Sequence, residues 1–208
     1  IIHPFIHDEP FLHTTLLRDL FAGTVGMTCN TITEWNSLLQ YSGGHVKNQV
    51  FATGNGIRES KKIFSNFDKN IKDVPNQYVL YIGRMITDKN VKVLIDYHQK
   101  ATRDLKSCPA LVCVGEGPLH SYKAESFIHY KWLEKGQLQY LISRSLAVVQ
   151  LSLLESFSLV LMEAWVQKKP VIIHTDCQAT TWHFRRAQSP GFAVVNALEY
   201  ICKDISIV

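Results

Sequence analysis

Two glutamates in the second half of the chain are the residues whose types and spacing most directly suggest chemistry. Glu155 lies where a loop enters a predicted helix, and Glu163 lies eight residues later inside that helix. Eight residues along one side of a helix span about 12 Å. Carboxylates at that separation could accept hydrogen bonds from hydroxyls at both ends of an extended ligand, such as a nucleotide sugar. Two solvated acids on the polar side of an amphipathic helix are the commoner explanation for this spacing alone.

Cations and glycines follow two other apolar runs. Gly83 and Arg84 end the first run, Lys89 follows five residues later, and Gly115 and Gly117 end the second run in Val-Gly-Glu-Gly-Pro. An arginine fork and a lysine point charge could together neutralise a diphosphate. Gly115 and Gly117 would let their backbone amides approach phosphate closely. Taken alone, each pattern is more often a solvated surface pair or a turn.

Apolar strands and amphipathic helices alternate through the region that carries these residues. Strands are predicted at residues 78–83, 110–114, 127–130, 146–150, 170–173 and 192–195, and helices at 91–98, 138–145 and 159–168. Asn90 is the predicted N-cap of the first of these helices. The alternation predicts an α/β fold with a Rossmann-like, doubly wound parallel sheet. Ligands of such sheets bind beyond the carboxyl ends of the strands, where the candidate residues gather.

The remainder of the chain predicts a second, incomplete domain. Residues 1–56 contain helical patterns at 16–20 and 32–39, a strand at 49–52 and a turn at 54–56. Residues 57–76 are polar and charged and are predicted to be a connector. Residues 77–208 form the predicted Rossmann-like domain. The chain begins without methionine and stops abruptly, so the sequence predicts a fragment of a longer protein.

Composition excludes several classes of protein. Hydrophobic residues make up 46% of the 208 residues and charged residues 19%, which suffices for a folded core. The net charge of +4 suits anionic ligands, but no basic run with interleaved aromatic residues indicates nucleic acid. Five scattered cysteines form no zinc motif, and no carboxylate pair has the spacing of metal ligands. The absence of a signal peptide or long apolar run predicts a cytoplasmic protein.

The motifs together resemble a known family. Gly-Arg-x4-Lys, Val-Gly-Glu-Gly-Pro, Glu-x7-Glu and Lys-Pro-Val-Ile follow one another in the order typical of the C-terminal half of a GT-B retaining glycosyltransferase. This is the large nucleotide-sugar-dependent group called glycosyltransferase family four, or group one. The resemblance covers roughly residues 76–200, and residues 1–56 are similar to the end of the family's N-terminal domain. The Glu-Ser-Phe-Ser form is most like bacterial members that assemble cell-surface glycans.

The resemblance implies a donor site and roles for its residues. The donor-binding residues would be Gly83, Arg84, Lys89, Gly115, Gly117, Glu155, Phe157, Ser158, Leu159 and Glu163. Arg84 and Lys89 would stabilise the diphosphate leaving group, and Glu155 would contact the transferred sugar, so these three would be the catalytic residues. Glu163 would bind the ribose, and amides near Ser158 would hold phosphate. No residue is assigned as a nucleophile, and the family requires no metal or other cofactor.

The expected function is transfer of a sugar from a nucleoside-diphosphate sugar to a hydroxyl of a glycan or lipid-linked acceptor, with retention of configuration. Most of the acceptor domain is missing from the pattern, so the chain alone is expected to retain part of the donor site without turnover. The missing part could bring the protein to the inner face of the plasma membrane. Two alternatives stay open, a sugar-nucleotide epimerase of GT-B architecture and a non-catalytic module that binds a phosphorylated ligand. A dehydrogenase is disfavoured, because no Gly-x-Gly-x-x-Gly follows a strand.

Overall fold

The computed structural model describes residues 19, 23, 25–41, 50–57, 71, 73–187 and 194–195. The chain divides into two compact units, residues 1–56 and 57–208. The predicted helix at 16–20 (apart from Asp19), most of the connector at 57–76 and residues 192–193 of the last predicted strand lie outside the described residues. The assignment of the first unit to an acceptor domain stays a prediction.

The first unit contains a strand–helix–strand motif. It consists of β1 (Met27–Cys29), α1 (Ile32–Tyr41) and β2 (Val50–Ala52), and the two strands pair in parallel. The hydroxyl of Thr31 accepts a hydrogen bond from the amide of Glu34 and so caps the first turn of α1. The predicted helix and the predicted strand of this unit are confirmed. β1 was not predicted, because three residues are too few to show the alternation of a strand.

The second unit carries one parallel sheet with helices between its strands. The strands are β3 (Tyr78–Ile82), β4 (Ala110–Val114), β5 (Ile128–Tyr130), β6 (Ala147–Gln150), β7 (Val171–His174) and β8 (Val194–Val195). The helices are α2 (Val91–Asp104), α3 (Lys135–Arg144), α4 (Leu159–Val166) and α5 (Gln178–Ala187). The six strands lie in the order β5-β4-β3-β6-β7-β8, and every pair is parallel. The predicted doubly wound, Rossmann-like sheet is confirmed.

The strand order reverses direction beside β3. The chain moves outward from β3 through β4 to β5, and then crosses back to place β6 on the other side of β3. Helices therefore cover both faces of the sheet, and all five residues of β3 are buried. Tyr78 and Leu80 pack on one face with Leu161, while Val79 and Tyr81 pack on the other. This reversal leaves a crevice at the carboxyl ends of β3 and β6, where a ligand can enter.

Two local predictions need correction. Asn90 precedes α2, but its side chain caps no amide, because its backbone is left-handed with φ of 57° and ends the 3-10 turn Thr87–Lys89. Helix α5 is absent from the sequence prediction, because its Thr-Thr-Trp-His centre has low intrinsic helix propensity. Packing against the sheet stabilises α5 instead, with Phe184 in the core.

Candidate functional site

The crevice between β3 and β6 is the candidate functional site of the second unit. The paired register of the two strands ends at Leu80 and Val148. Beyond it, the side-chain amide of Gln150 donates to the carbonyl of Ile82 at 2.9 Å, in place of a backbone hydrogen bond. The strands thus part at their carboxyl ends, and the loops that follow them carry most of the predicted site residues.

Lys89 and Glu155 meet across this crevice. The ammonium of Lys89, which follows β3, lies 2.6 Å from a carboxylate oxygen of Glu155, which follows β6. Their side chains are only 17% and 13% exposed, so the two charges neutralise each other largely out of water. Sixty-six residues separate them in the chain. The structure therefore brings together two residues that the sequence predicts for one site, although it pairs them with each other.

The helical geometry predicted for the two glutamates is wrong. Helix α4 begins at Leu159, four residues after Glu155, so the distance of about 12 Å along one helix side does not apply. Ser158, at the N-cap, has φ of 64° and ψ of 78°, a left-handed conformation that turns the chain sharply into the helix. Glu155 therefore lies on a separate loop that the buried ring of Phe157 anchors to the core.

Glycines let the loops after β3 and β4 pack backbone against backbone. A Cβ atom at Gly115 would overlap the carbonyl of Gly83, and one at Gly117 would overlap the carbonyl of Met85. Their φ angles of +145° and +149° also disfavour any other residue. The amide of Met85 donates to the carbonyl of Glu116 at 2.8 Å, which extends the strand pairing into the loops.

This packing corrects the role predicted for the Gly115 amide, and it also occupies the amide of Gly83. The amide of Gly83 donates to Val114 and the amide of Gly115 donates to Tyr130, each at 2.9 Å. Neither amide is therefore available to a phosphate, because each already belongs to a sheet hydrogen bond. The glycines shape the loops instead, and only Gly117 of the three stays a candidate amide donor.

Arg84 lies on the surface of the same loop. Its side chain is exposed and forms no ion pair within the described part of the chain. The hydroxyl of Tyr81, buried beneath it, donates to the backbone carbonyl of Arg84 at 2.8 Å. Burial raises the pKa of Tyr81 above its ordinary value, with smaller effects from neighbouring charges, so this hydroxyl stays a donor. Tyr81 thereby fixes the backbone that carries Arg84.

Two histidines hold the glycine loop from the other side. His129 contacts the carbonyl of Gly115 at 2.7 Å through Nε2, and His120 contacts the carbonyl of Gly117 at 2.8 Å through Nδ1. Because a carbonyl only accepts, each of these nitrogens carries a proton. Neither histidine was predicted for the site. The sequence predicted the strand that carries His129, but nothing in it indicated the carbonyl partner of either histidine.

The start of α4 supplies further polar groups. Ser158 is 7% exposed, and its hydroxyl has no hydrogen-bond partner among the described residues. The first amides of α4 have no helical acceptor and carry the partial positive charge of the helix N-terminus. Leu159, by contrast, is half exposed. A buried hydroxyl beside free helix amides is suited to a negatively charged oxygen ligand.

Glu163 lies one turn inside α4 and is partly buried. Burial raises the pKa of its carboxyl above the ordinary value, and the nearby charge of Lys135 lowers it by a smaller amount. Its electrostatic neighbour is thus the first residue of α3. The structure shows no contact between Glu163 and the ion pair of Lys89 and Glu155.

The end of β7 also reaches this edge of the sheet. The ring Nδ1 of His174 accepts a hydrogen bond from the amide of Asp176 at 3.2 Å, which leaves the imidazole proton on Nε2. Burial raises the pKa of the Cys177 thiol at the start of α5, hydrogen bonds with Thr180 oppose this rise, and the charge of Glu155 adds a smaller increase.

Within the described residues, no group of three or more histidine, cysteine, aspartate or glutamate side chains could hold a metal ion. The described helices include none that is long and apolar enough to cross a membrane.

Comparison with known proteins identifies the family. The family model described as "Glycosyl transferases group 1" matches residues 62–182, more than half of the chain. No curated protein sequence is significantly similar. Solved structures match 77–84% of the chain at identities below 20%, which establish the fold alone.

Three solved structures illustrate the likeness. TarM of S. aureus, solved with fondaparinux, alpha-GlcNAc-glycerol and UDP, has 17% identity and a TM-score of 0.60 over 79% of this chain and 32% of its own. Alr3699/HepE of Anabaena, solved with UDP and glucose, has 17% identity and a TM-score of 0.67 over 84% and 51%. WaaG, described as a glycosyltransferase involved in lipopolysaccharide biosynthesis, has 14% identity and a TM-score of 0.61 over 77% and 47%. The chain spans between about a third and a half of the length of these proteins.

Proposed function

The chain belongs to the group 1 glycosyl transferases, and from that premise we propose that its second unit binds the nucleoside-diphosphate sugar from which a sugar is transferred. The whole protein would carry out the transfer, to a hydroxyl of a glycan or lipid-linked acceptor. Donor binding is the part of this activity that the described residues can support by themselves.

The observation that carries the proposal is the ion pair of Lys89 and Glu155 at the point where the strand order reverses. Charged side chains from two separate loops meet at the one place in a doubly wound sheet where ligands enter between diverging strands. Two surface charges without a ligand to bind would not need to lie largely out of water, where each is costly. The pairing keeps both charges neutralised until a ligand replaces one partner.

A diphosphate is the ligand that would separate this pair. Its oxygens offer Lys89 more negative charge than one carboxylate does, and the exposed guanidinium of Arg84 can add a bidentate contact. Once Lys89 has turned to the diphosphate, Glu155 can accept hydrogen bonds from hydroxyls of the sugar. A nucleotide-sugar donor would therefore bind both members of the pair, Lys89 through its diphosphate and Glu155 through its sugar.

The start of α4 supports the same assignment. The hydroxyl of Ser158 and the first amides of the helix could donate to the phosphate oxygens. Glu163, one turn further on, would accept hydrogen bonds from the ribose. Phe157 and Leu159 would contribute to donor binding through the position of their loop, because neither has a polar side chain. Phe157 anchors that loop to the core, and Leu159 lies at its end.

In the proposed transfer, the acceptor oxygen bonds to the anomeric carbon while the bond from that carbon to the diphosphate oxygen breaks. The leaving diphosphate takes the bonding electron pair, and the acceptor's proton passes to a phosphate oxygen. Attack from the same face as the departing group retains the configuration. The cations Arg84 and Lys89 stabilise the negative charge that grows on the leaving group.

Calorimetric titration with UDP, GDP and ADP tests the proposal. Because two of the solved relatives were crystallised with UDP, that nucleotide is the first choice. The double variant Arg84→Ala/Lys89→Ala should lose binding by about a hundredfold or more, since two charge-assisted contacts disappear. The control Lys100→Ala/Arg103→Ala removes the same charge from exposed positions of α2 and should bind as the wild type does.

Equal binding by both double variants would show that the cations of the crevice do not hold the diphosphate. Absence of binding by the folded wild-type chain to all three nucleotides would count against donor binding by this unit.

A further inference from the structure

Helix α5 reaches back from β7 to contact the loop that carries Glu155. The ring nitrogen Nε2 of His183 lies 2.9 Å from the backbone carbonyl of Phe157, and both residues are buried. A carbonyl oxygen only accepts, so Nε2 carries the proton and donates it. The contact joins elements 26 residues apart and is made to the backbone of the site loop.

Aromatic packing holds the imidazole in place. The ring of Phe157 lies edge-on to the imidazole of His183, with 4.6 Å between the ring centroids. The rings of Trp182 and Trp165 also lie edge-on to this imidazole, at centroid distances of 4.9 and 6.5 Å. An imidazole confined by three rings has little freedom to rotate away from its acceptor. The Phe157 carbonyl is therefore held in one direction.

That direction decides where the next amide points. In a trans peptide the carbonyl and the following N–H point in opposite directions, so a Phe157 carbonyl aimed at His183 directs the Ser158 amide away from α5. Ser158 itself has a left-handed backbone, which a residue other than glycine or asparagine rarely adopts without support. The carbonyl also precedes the N-cap, so it has no helical partner to orient it.

We propose that His183 is a positioning residue of the donor site, which fixes the turn at Phe157 and Ser158 and so presents the start of α4 and Glu155 to the nucleotide. This inference rests on the proposed donor binding for its functional consequence. The orientation of the loop by His183 does not depend on which nucleotide binds.

The alternative is that His183 only fills the core. The chain contains a matched control, because His98 is also a buried imidazole whose Nε2 contacts a backbone carbonyl, that of Pro109, at 2.8 Å. Pro109 precedes β4 and so lies at the opposite, amino edge of the sheet. Removing either histidine deletes a buried hydrogen bond from an imidazole to a backbone carbonyl, but only the carbonyl of Phe157 belongs to the site.

The test compares His183→Phe, which keeps a ring and removes the donor, with His183→Gln, whose amide nitrogen can replace Nε2. Hydrogen exchange is measured at the amides of residues 162–164, the first of α4 that have helical acceptors, and affinity for UDP, GDP and ADP is measured by calorimetry. We expect His183→Phe to speed exchange at these amides and to weaken nucleotide binding, each by about tenfold, because a displaced loop loses its binding geometry. His183→Gln should restore both, and His98→Phe should change neither.

Unchanged exchange at residues 162–164 in His183→Phe would overturn the proposal, as would equal defects in the Gln and Phe variants. If His183→Phe does not fold, His183→Asn replaces it, since its shorter amide cannot reach the carbonyl and the comparison with Gln still decides. If the wild type binds no nucleotide, the proposed function fails while the exchange measurement still decides the role of His183.

Discussion

At the scale of single residues, the site combines charges that are held out of water with donors that are held in place. Lys89 and Glu155 satisfy each other across the crevice, so neither bears the cost of an isolated buried charge. Removing one partner would leave the other partly desolvated. This pairing explains how two ionised side chains can be stable in a largely buried position when no ligand is bound.

Glu163 leads to a prediction about pH. Burial raises its pKa in the folded state above the unfolded value, so the protonated form stabilises the fold at low pH. This stabilisation is complete below the unfolded pKa and is lost as the pH rises through the folded pKa. Glu163→Gln removes the buried charge, so we expect it to be more stable than the wild type near pH 7 and equal to it near pH 4.

Urea unfolding of both proteins across this pH range measures the difference. The exposed Glu125→Gln serves as the control and should show no such pH-dependent gain. A stability difference between Glu163→Gln and the wild type that stays constant with pH would contradict the prediction.

Tyr81 offers a second prediction, with Tyr78 as its matched control. Both are fully buried tyrosines of β3 whose hydroxyls donate to a backbone carbonyl, that of Arg84 at 2.8 Å and that of Leu141 at 2.7 Å. Each Tyr→Phe substitution should lower the unfolding free energy by about 0.5 to 1.5 kcal/mol. Each removes one buried hydrogen bond, while the carbonyls of Arg84 and Leu141 keep the bonds they accept from the amides of Ile86 and Ser145. Only Tyr81→Phe should also weaken nucleotide binding, by about three- to tenfold, since only Tyr81 holds the backbone of Arg84.

Denaturant unfolding and calorimetric titration of the two variants separate stability from binding. Equal nucleotide affinities for the two variants would show that Tyr81 contributes to the fold alone.

At the scale of elements, the loops after β3 and β4 act as one structure. Backbone hydrogen bonds continue the pairing of the strands past their ends, to Met85 and Glu116. The approach of the two backbones is too close for a Cβ atom on the facing side. The glycines are therefore required by loop packing, and the position of Arg84 depends on that packing.

Gly115→Ala should destabilise the second unit by about 2 to 4 kcal/mol, because it adds an overlap with the carbonyl of Gly83 to the cost of a positive φ. Gly54→Ala, in the first unit, gives the cost of a positive φ without an overlap, since Gly54 has φ of +70° with no atom near its would-be Cβ. That control should cost about 1 kcal/mol, measured by urea unfolding. Similar losses for both substitutions would mean that the loop backbones can move apart at little cost.

The short elements show where prediction from the sequence stops. The central strands were predicted because strands buried on both faces are continuous apolar runs. The start of α4 was placed correctly at Leu159, but the turn before it was not, because a left-handed serine has no sequence signal. Helix α5 was not predicted, because its stability comes from tertiary packing and its local helix propensity is low.

At the scale of the whole molecule, the strand order decides which loops share the site. Residues after β3 and β6 meet only because β6 returns to the side of β3 opposite β4. Each strand is apolar along its whole length, so its sequence carries little information about which neighbour it pairs with. The crevice is therefore a property of the assembled sheet.

Local sequence was enough to predict the α/β class, the number and approximate bounds of the strands of the second unit, the family and a set of candidate site residues. These predictions follow from the hydrophobic periodicity and the motif spacing, which depend only on residues that are near one another in the chain. Only the tertiary structure decided that Lys89 pairs with Glu155, that two of the glycine amides belong to the sheet, and that His129 and His183 hold the site loops. These contacts join residues 14 to 66 positions apart, and their energies exist only once the sheet has brought the loops together.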